Sequence, residues 1–436
     1  MATRSTPPAA QSAPNYIVPF IIVTALFGIF GFLTNLNSNL MPHLKRLFDL
    51  AYGPAMLVST AWFFAYLVFS VPSAKLIEAV GYKRTMVISL FIMVVGALLF
   101  IPAANLISFP LFLSAIFVLA TGVCALQTSA NPYVSILGPE SSAPARLTLA
   151  QAFNSLGAAV APLVVAHFIL TDPSKVADKA SIAHTVQGPY IAIAGALLLL
   201  GFAVMLMNLP AITLTRAFRP GAEGDPLLAR SIWSYSHTVL GMLGIFFYVG
   251  VEIALASIAI SYFLTQGVGI SILGPFGTLV DSLLGPLSNT AIAGLLASLY
   301  FLLIMAGRFL GSALMASIKA EKLLAGLGFL GAVFLLVSMF SHGSLAIWTL
   351  VLCGLANSIM YPTIFALGIA ELGPMTSKGS GVITIGNVGG AVVPLLFGAL
   401  ADKVGIQYAF LLPIVCYLFV AYYGLSGYKP TRAVKA

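Results

Sequence analysis

About a dozen runs of roughly 20 apolar residues follow one another along this chain, the length a helix needs to cross a hydrocarbon core about 30 Å thick. Lipid offers the backbone no hydrogen bonds, so each run must satisfy its own, and that leaves helices. A barrel would instead show short segments of alternating polarity. Only 7% of the residues are charged, too few to cover a soluble surface, which carries roughly 25%. The reading is an all-α membrane protein with predicted spans at 17–40, 54–77, 86–103, 110–137, 146–170, 189–210, 236–265, 291–316, 323–341, 345–371, 379–401 and 406–427.

The net charge of +8 concerns insertion rather than nucleic acid. With the N-terminus placed in the cytoplasm, most of the 20 Lys and Arg fall on the inner side. They include Arg4, Lys83, Arg84, Arg146, Arg216, Arg219, Arg230, Lys319, Lys322, Lys378 and Lys429, whereas Lys45, Arg46, Lys175, Lys179 and Lys403 lie in outer loops. Both termini are therefore expected in the cytoplasm. The first sixteen residues lack the basic stretch, apolar core and cleavage site of a signal peptide and read as a disordered tail. Cys124, Cys353 and Cys416 all sit inside predicted spans without paired spacing, which argues for packing rather than disulfides or zinc. The five histidines likewise lack partners at ligand spacing and read as interfacial residues.

The longest charged interruption, 211–235, divides the spans six and six. The expected organisation is a tail over 1–16, a six-helix bundle over 17–210, a cytoplasmic linker over 211–235, a second bundle over 236–427 and a tail over 428–436. A loose internal repeat agrees: Asn131-Pro132-Tyr133, Leu137-Gly138-Pro139, Asn154 and Gly157 are echoed by Tyr361-Pro362-Thr363, Leu372-Gly373-Pro374, Asn387 and Gly390. A duplicated pair of bundles places a substrate site at mid-depth between them. Glycines inside spans, among them Gly28, Gly31, Gly386, Gly389 and Gly390, predict closely packed helices.

Amides cluster at helical spacing: Asn35, Ser38 and Asn39; Gln127 and Asn131; Gln151 and Asn154; with Asn357 and Asn387 in the second half. Amides are too polar to face lipid, so they point inward, either to bind a ligand or to tie helices together. A neutral sugar needs such donors and acceptors together with flat apolar surfaces. Phe30, Trp62, Phe64, Tyr66, Tyr248 and Tyr361 are the candidate stacking residues, each also a packing candidate. Glu252 is the one acid placed well inside a span, and an intramembrane carboxylate points to function. Arg308, late in the eighth span, can snorkel to the interface or pair across the halves; snorkelling is the expected role.

Between spans two and three, Ala74-Lys75-Leu76-Ile77-Glu78-Ala79-Val80-Gly81-Tyr82-Lys83-Arg84 resembles the loop pattern G-x-L-x-D-R-x-G-x-R-R of the major facilitator superfamily, with Ala for the first Gly and Glu for Asp. Gly398, Leu400, Asp402, Lys403 and Gly405 give a partial echo between spans eleven and twelve. Longer stretches are similar to the fucose permease family: Gly31-Phe32-Leu33-Thr34-Asn35-Leu36-Asn37-Ser38, Gln127 to Val134, Arg146 to Gly157, Phe247 to Glu252 and Asn357 to Phe365. The likeness runs from about 17 to 427, with the glucose/galactose transporters as its nearest branch.

The resemblance implies a major facilitator fold of twelve helices in two six-helix bundles, and a secondary transporter of a monosaccharide in the bacterial inner membrane. It implies no enzyme activity and no cofactor, and a monomer is expected. Glu78, Lys83, Arg84 and Asp402 are the implied gating residues. The family carries a coupling proton on an Asp where this chain has Ser38, which does not titrate in the physiological range. Glu252 is left as the candidate coupling residue. Its open roles are proton carrier, sugar ligand, sodium ligand and structural group, so proton symport, sodium coupling and uncoupled transport all stay open. A drug exporter of the same fold would carry fewer amides.

Overall fold

The computed structural model describes residues 17–48, 52–168, 187–207, 209, 231–274, 277, 282, 285 and 287–430, with the side chains of 34–46, 52–56 and 161–168 outside that set. The expected tail over 1–16, most of the linker over 211–235 and the end of the tail over 428–436 lie outside the described residues, as do the side chains of Asn35, Ser38 and Asn39.

The described residues form twelve long helices. They are α1 (Ile17–Leu47), α2 (Tyr52–Val80), α3 (Tyr82–Asn105), α4 (Phe109–Ile136), α5 (Ala143–Phe168) and α6 (Gln187–Leu206). The second six are α7 (Ser236–Thr265), α8 (Asn289–Leu314), α9 (Ala320–Phe340), α10 (Gly343–Gly368), α11 (Gly373–Val404) and α12 (Ile406–Gly427). Local chemistry sets their ends. Ser288 accepts from the Ala291 amide at 3.2 Å and caps α8, and Gly81, at φ 84°, makes the tight turn from α2 into α3.

Hydropathy located these helices but not all their limits. The run expected over 17–40 continues as helix to Leu47, and the one expected over 379–401 extends to Gly373 and Val404. Apolarity marks what lipid surrounds, whereas a helix continues as long as its backbone bonds do. Four spans also break where a continuous run was expected: α3 at Leu99, α12 at Phe410, and α10 and α11. Regular helix in α10 stops at Asn357 and resumes at Met360, and α11 tightens into a 3₁₀ turn over Gly386–Val388.

Contacts repeat between the halves with an offset of six helices. In the first half α1 packs on α5, α2 on α4 and α3 on α6; in the second α7 packs on α11, α8 on α10 and α9 on α12. The halves meet chiefly along two seams, α2 against α11 and α5 against α8, which are the same contact repeated, with α10 on α5 and α11 on α4 between them. Glycines make the tightest crossings. A Cβ at Gly31 would overlap the Asn154 carbonyl, and one at Gly157 would overlap the Gly28 carbonyl, so α1 and α5 touch backbone to backbone. Gly389 meets the Phe246 carbonyl in the same way, joining α11 to α7. Large apolar side chains such as Leu199, Leu206, Phe329 and Phe340 are exposed on the outside, the surface that lipid covers.

Candidate functional site between the helix bundles

The seams bring polar side chains of α4 and α5 against α7, α8, α10 and α11. Gln127 and Asn131 stand one turn apart on α4, and Gln151 lies on α5; all three are buried. Opposite them are Tyr248 of α7, Tyr361 of α10 and Asn387 of α11, also buried. The Asn131 amide nitrogen donates to the Tyr361 hydroxyl at 3.4 Å, and Asn387 approaches the same phenol, so both halves converge on Tyr361. The Tyr248 and Tyr361 rings lie 6.4 Å apart, tilted by 56°.

Four polar atoms in this region are buried without a hydrogen-bond partner: Gln127 Oε1, Asn131 Oδ1, Gln151 Nε2 and the Tyr248 hydroxyl. An unpaired buried polar group loses about 1–3 kcal/mol relative to a satisfied one. Such a concentration along one seam is expected where a polar ligand or water completes the bonding. Beside it Gln127 shares a small pocket with Leu26, Phe27, Phe30, Leu126 and Ala130, an amide at the edge of an apolar wall.

The other expected residues take different places. Asn154 donates to the Phe27 carbonyl at 3.1 Å and ties α5 to α1. Asn357 has both ends of its amide engaged: it donates to the Tyr300 hydroxyl at 2.7 Å and accepts from the Tyr417 hydroxyl at 2.8 Å, joining α8, α10 and α12 inside the second half. Asn387 donates to the Thr384 carbonyl at 2.9 Å. Trp62 and Tyr66 are buried, but Phe64 is 50% exposed and packs on Phe117 at the outer surface, which removes it from any central cavity.

Charges occupy two levels. At mid-depth, half-buried Glu252 of α7 lies within electrostatic reach of Arg308 on α8 and of the Tyr248 and Tyr300 hydroxyls. Arg308 does not snorkel. It is 7% exposed; its Nε donates to the Ser358 carbonyl at 3.1 Å, and its Nη1 donates across the seam to the Gln151 carbonyl at 3.0 Å and to Ser155 Oγ at 2.5 Å. The sequence carried a signal for this. Gly307 and Gly311 flank the arginine, and both press α8 onto Ser358 and Ile359 at the break in α10.

The second level is the end of the molecule that carries the α2–α3 loop. Glu78 accepts from Ser377 Oγ at 3.4 Å and stands 3.9 Å from Lys378 Nζ at the start of α11. Glu140 accepts from the Glu371 amide at 3.2 Å, Ser312 donates to the Ala145 carbonyl at 2.9 Å, and Ser380 donates to the Thr128 carbonyl at 2.6 Å. Among the described residues, the hydrogen bonds between the halves all lie from mid-depth to this end, so the bundles are closed here. Lys83 belongs to another contact, capping the end of α6 through the Met205 carbonyl at 2.9 Å. Arg84 neighbours it in the same helix, and Asp402 is exposed at the opposite end of the bundle. His237 contacts the Ala370 carbonyl at 3.0 Å, and among the described residues no three metal-ligating side chains gather.

Comparison with known proteins agrees with this architecture. The sequence pattern of the Major Facilitator Superfamily matches residues 22–387. The glucose/galactose transporter of Brucella abortus is 41% identical over 424 residues, 96% of each chain. The L-fucose-proton symporter of Escherichia coli is 31% identical, covering 96% of this chain and 94% of its own. A crystal structure of a fucose:proton symporter in the outward conformation superposes with a TM-score of 0.81 at 30% identity, covering 95% of this chain and 99% of that one. The chain belongs to the Major Facilitator Superfamily, within the group that holds the glucose/galactose transporters and the L-fucose-proton symporters.

Proposed function

We propose that the protein imports a neutral hexose, glucose, galactose or a fucose-like sugar, across the bacterial inner membrane by alternating access with proton symport. The observation that carries this reading is the set of four unpartnered buried polar atoms on α4, α5 and α7 where the halves meet, a chemistry suited to sugar hydroxyls. Tyr248 and Tyr361 supply flat faces for the ring's C–H side, and Gln127, Asn131, Gln151 and Asn387 supply the amides. Asn154 and Asn357 act in this scheme as helix ties around the site. The names of the relatives, glucose/galactose transporter and L-fucose-proton symporter, point to the same substrate class.

The distribution of basic residues supports placing the closed end and both termini in the cytoplasm. In that orientation the closed seams correspond to an outward-facing carrier. Coupling falls to Glu252. Ser38 favours a second reading, an uncoupled or sodium-coupled facilitator, because it removes a titratable group from α1. The test is uptake of labelled glucose and galactose into proteoliposomes without sodium, with and without an inward proton gradient. Concentrative uptake that needs the gradient supports symport. Equilibration that ignores it supports the facilitator, and failure to carry any monosaccharide rejects both.

A further inference from the structure

Arg308 is the cation that spans the two halves at mid-depth. Its side chain leaves α8 between Gly307 and Gly311, and neither glycine has room for a Cβ against α10. That close approach lets Nε reach the Ser358 carbonyl, which lies at the interruption of α10. Nη1 then grips α5 of the other half through the Gln151 carbonyl and Ser155 Oγ. Gln151 thereby has its backbone held by Arg308 while its amide nitrogen is buried and unpartnered at the candidate sugar site. Within its own half the guanidinium lies within electrostatic reach of Glu252 and Tyr248 of α7, so the carboxylate attracts it.

We propose that Arg308 is a positioning residue that latches the two halves, gripping α5 when the α2–α3 loop end is closed and drawn back toward Glu252 when that end opens. The guanidinium is suited to this because its planar fork can hold a carbonyl on its own half and two acceptors across the seam at once. A lysine offers one point charge and cannot span the same three acceptors. Glu252 acts as the competing anchor, since the attraction it exerts on the guanidinium opposes the reach to α5. The latch rests on the alternating-access reading of the chain, and it links occupancy of the Gln151 side chain to closure through a single residue.

The test measures closure without sugar. Spin labels at Ser141 and Ser317, exposed in the loops of the two halves at the closed end, report their separation, with the three native cysteines replaced by alanine. R308Q is expected to lower the ratio of short to long distances by about tenfold, the scale of a charged hydrogen bond across the seam. R308K falls between it and the unsubstituted protein. S155A, which removes one acceptor on α5, shifts the ratio the same way by less, and E252Q shifts it the opposite way. Opposite signs for R308Q and E252Q are not expected of a merely structural arginine. An R308Q protein that folds and keeps the original distribution overturns the latch. If R308Q does not fold, unchanged distributions in both S155A and E252Q overturn it. A glucose- or galactose-induced rise in thermal stability of the unsubstituted protein tests the sugar reading separately.

Discussion

The Asn131 amide of α4 donates to the Tyr361 hydroxyl of α10 at 3.4 Å, a long bond that joins the halves at the depth of the candidate site. At that length it contributes less than a bond near 2.9 Å, and Asn131 Oδ1 beside it is unpartnered. A sugar hydroxyl inserted between the two would satisfy both residues. Tyr361→Phe is therefore expected to weaken sugar affinity by about tenfold, with a smaller loss of thermal stability because the bond it removes to Asn131 is already long. Ligand titration of the purified protein checks this. An unchanged affinity removes Tyr361 from the site.

Gln151 and Asn357 predict opposite outcomes. The Gln151 amide nitrogen is buried without a partner, whereas the Asn357 amide is committed to Tyr300 and Tyr417. Gln151→Ala should raise the sugar Kd by tenfold or more at near-constant Tm. Asn357→Ala strands two buried phenols and should destabilise the protein by about 1–3 kcal/mol per unmet bond. Paired melting and binding curves on the two variants decide the matter.

Glu252→Gln keeps the shape of the side chain and removes its charge. Accumulation driven by a proton gradient should be lost while exchange of labelled for unlabelled sugar across the vesicle persists. Exchange should also lose its dependence on pH, because the group that takes up the proton is gone. Accumulation that survives in this variant assigns coupling to another residue.

The Glu78–Lys378 pair closes one end of the molecule, but at 3.9 Å with side chains 30% and 40% exposed it is a weak fastening. Pairs of that kind contribute roughly 0.2–1 kcal/mol. Glu78→Gln should lower transport by less than about fivefold, and raised salt should mimic it partially in the unsubstituted protein. A loss of a hundredfold would mean that Glu78 does more than pair with Lys378.

How far the sequence could be read depended on what each residue's signal was. Twelve helices were legible because lipid imposes a length, and Gly31 and Gly389 were legible as close contacts because small residues in spans have few other uses. Gln127, Asn131 and Gln151 declared themselves as inward-facing amides. Their separation from Asn357 was not legible, since ligand binding and helix tying demand the same side chain, and only the positions of Tyr300 and Tyr417 distinguish them. Arg308 was misread for a related reason. A cation near a span's end can reach water, and nothing in the apolar run shows that Ser358 and Gln151 carbonyls wait inside. Phe64 was open between stacking and packing because an aromatic ring is as content against lipid as against a sugar, and it packs on Phe117.

The two seams, α2 on α11 and α5 on α8, are one contact made twice. A carrier fastened in this way behaves like a door hung between two matched clasps. In each half the seam helix is pinned to a neighbour by backbone contact, α5 to α1 at Gly31 and α11 to α7 at Gly389, so each clasp moves only with its own bundle. A change at either seam is thus passed to a whole bundle rather than absorbed by a single helix.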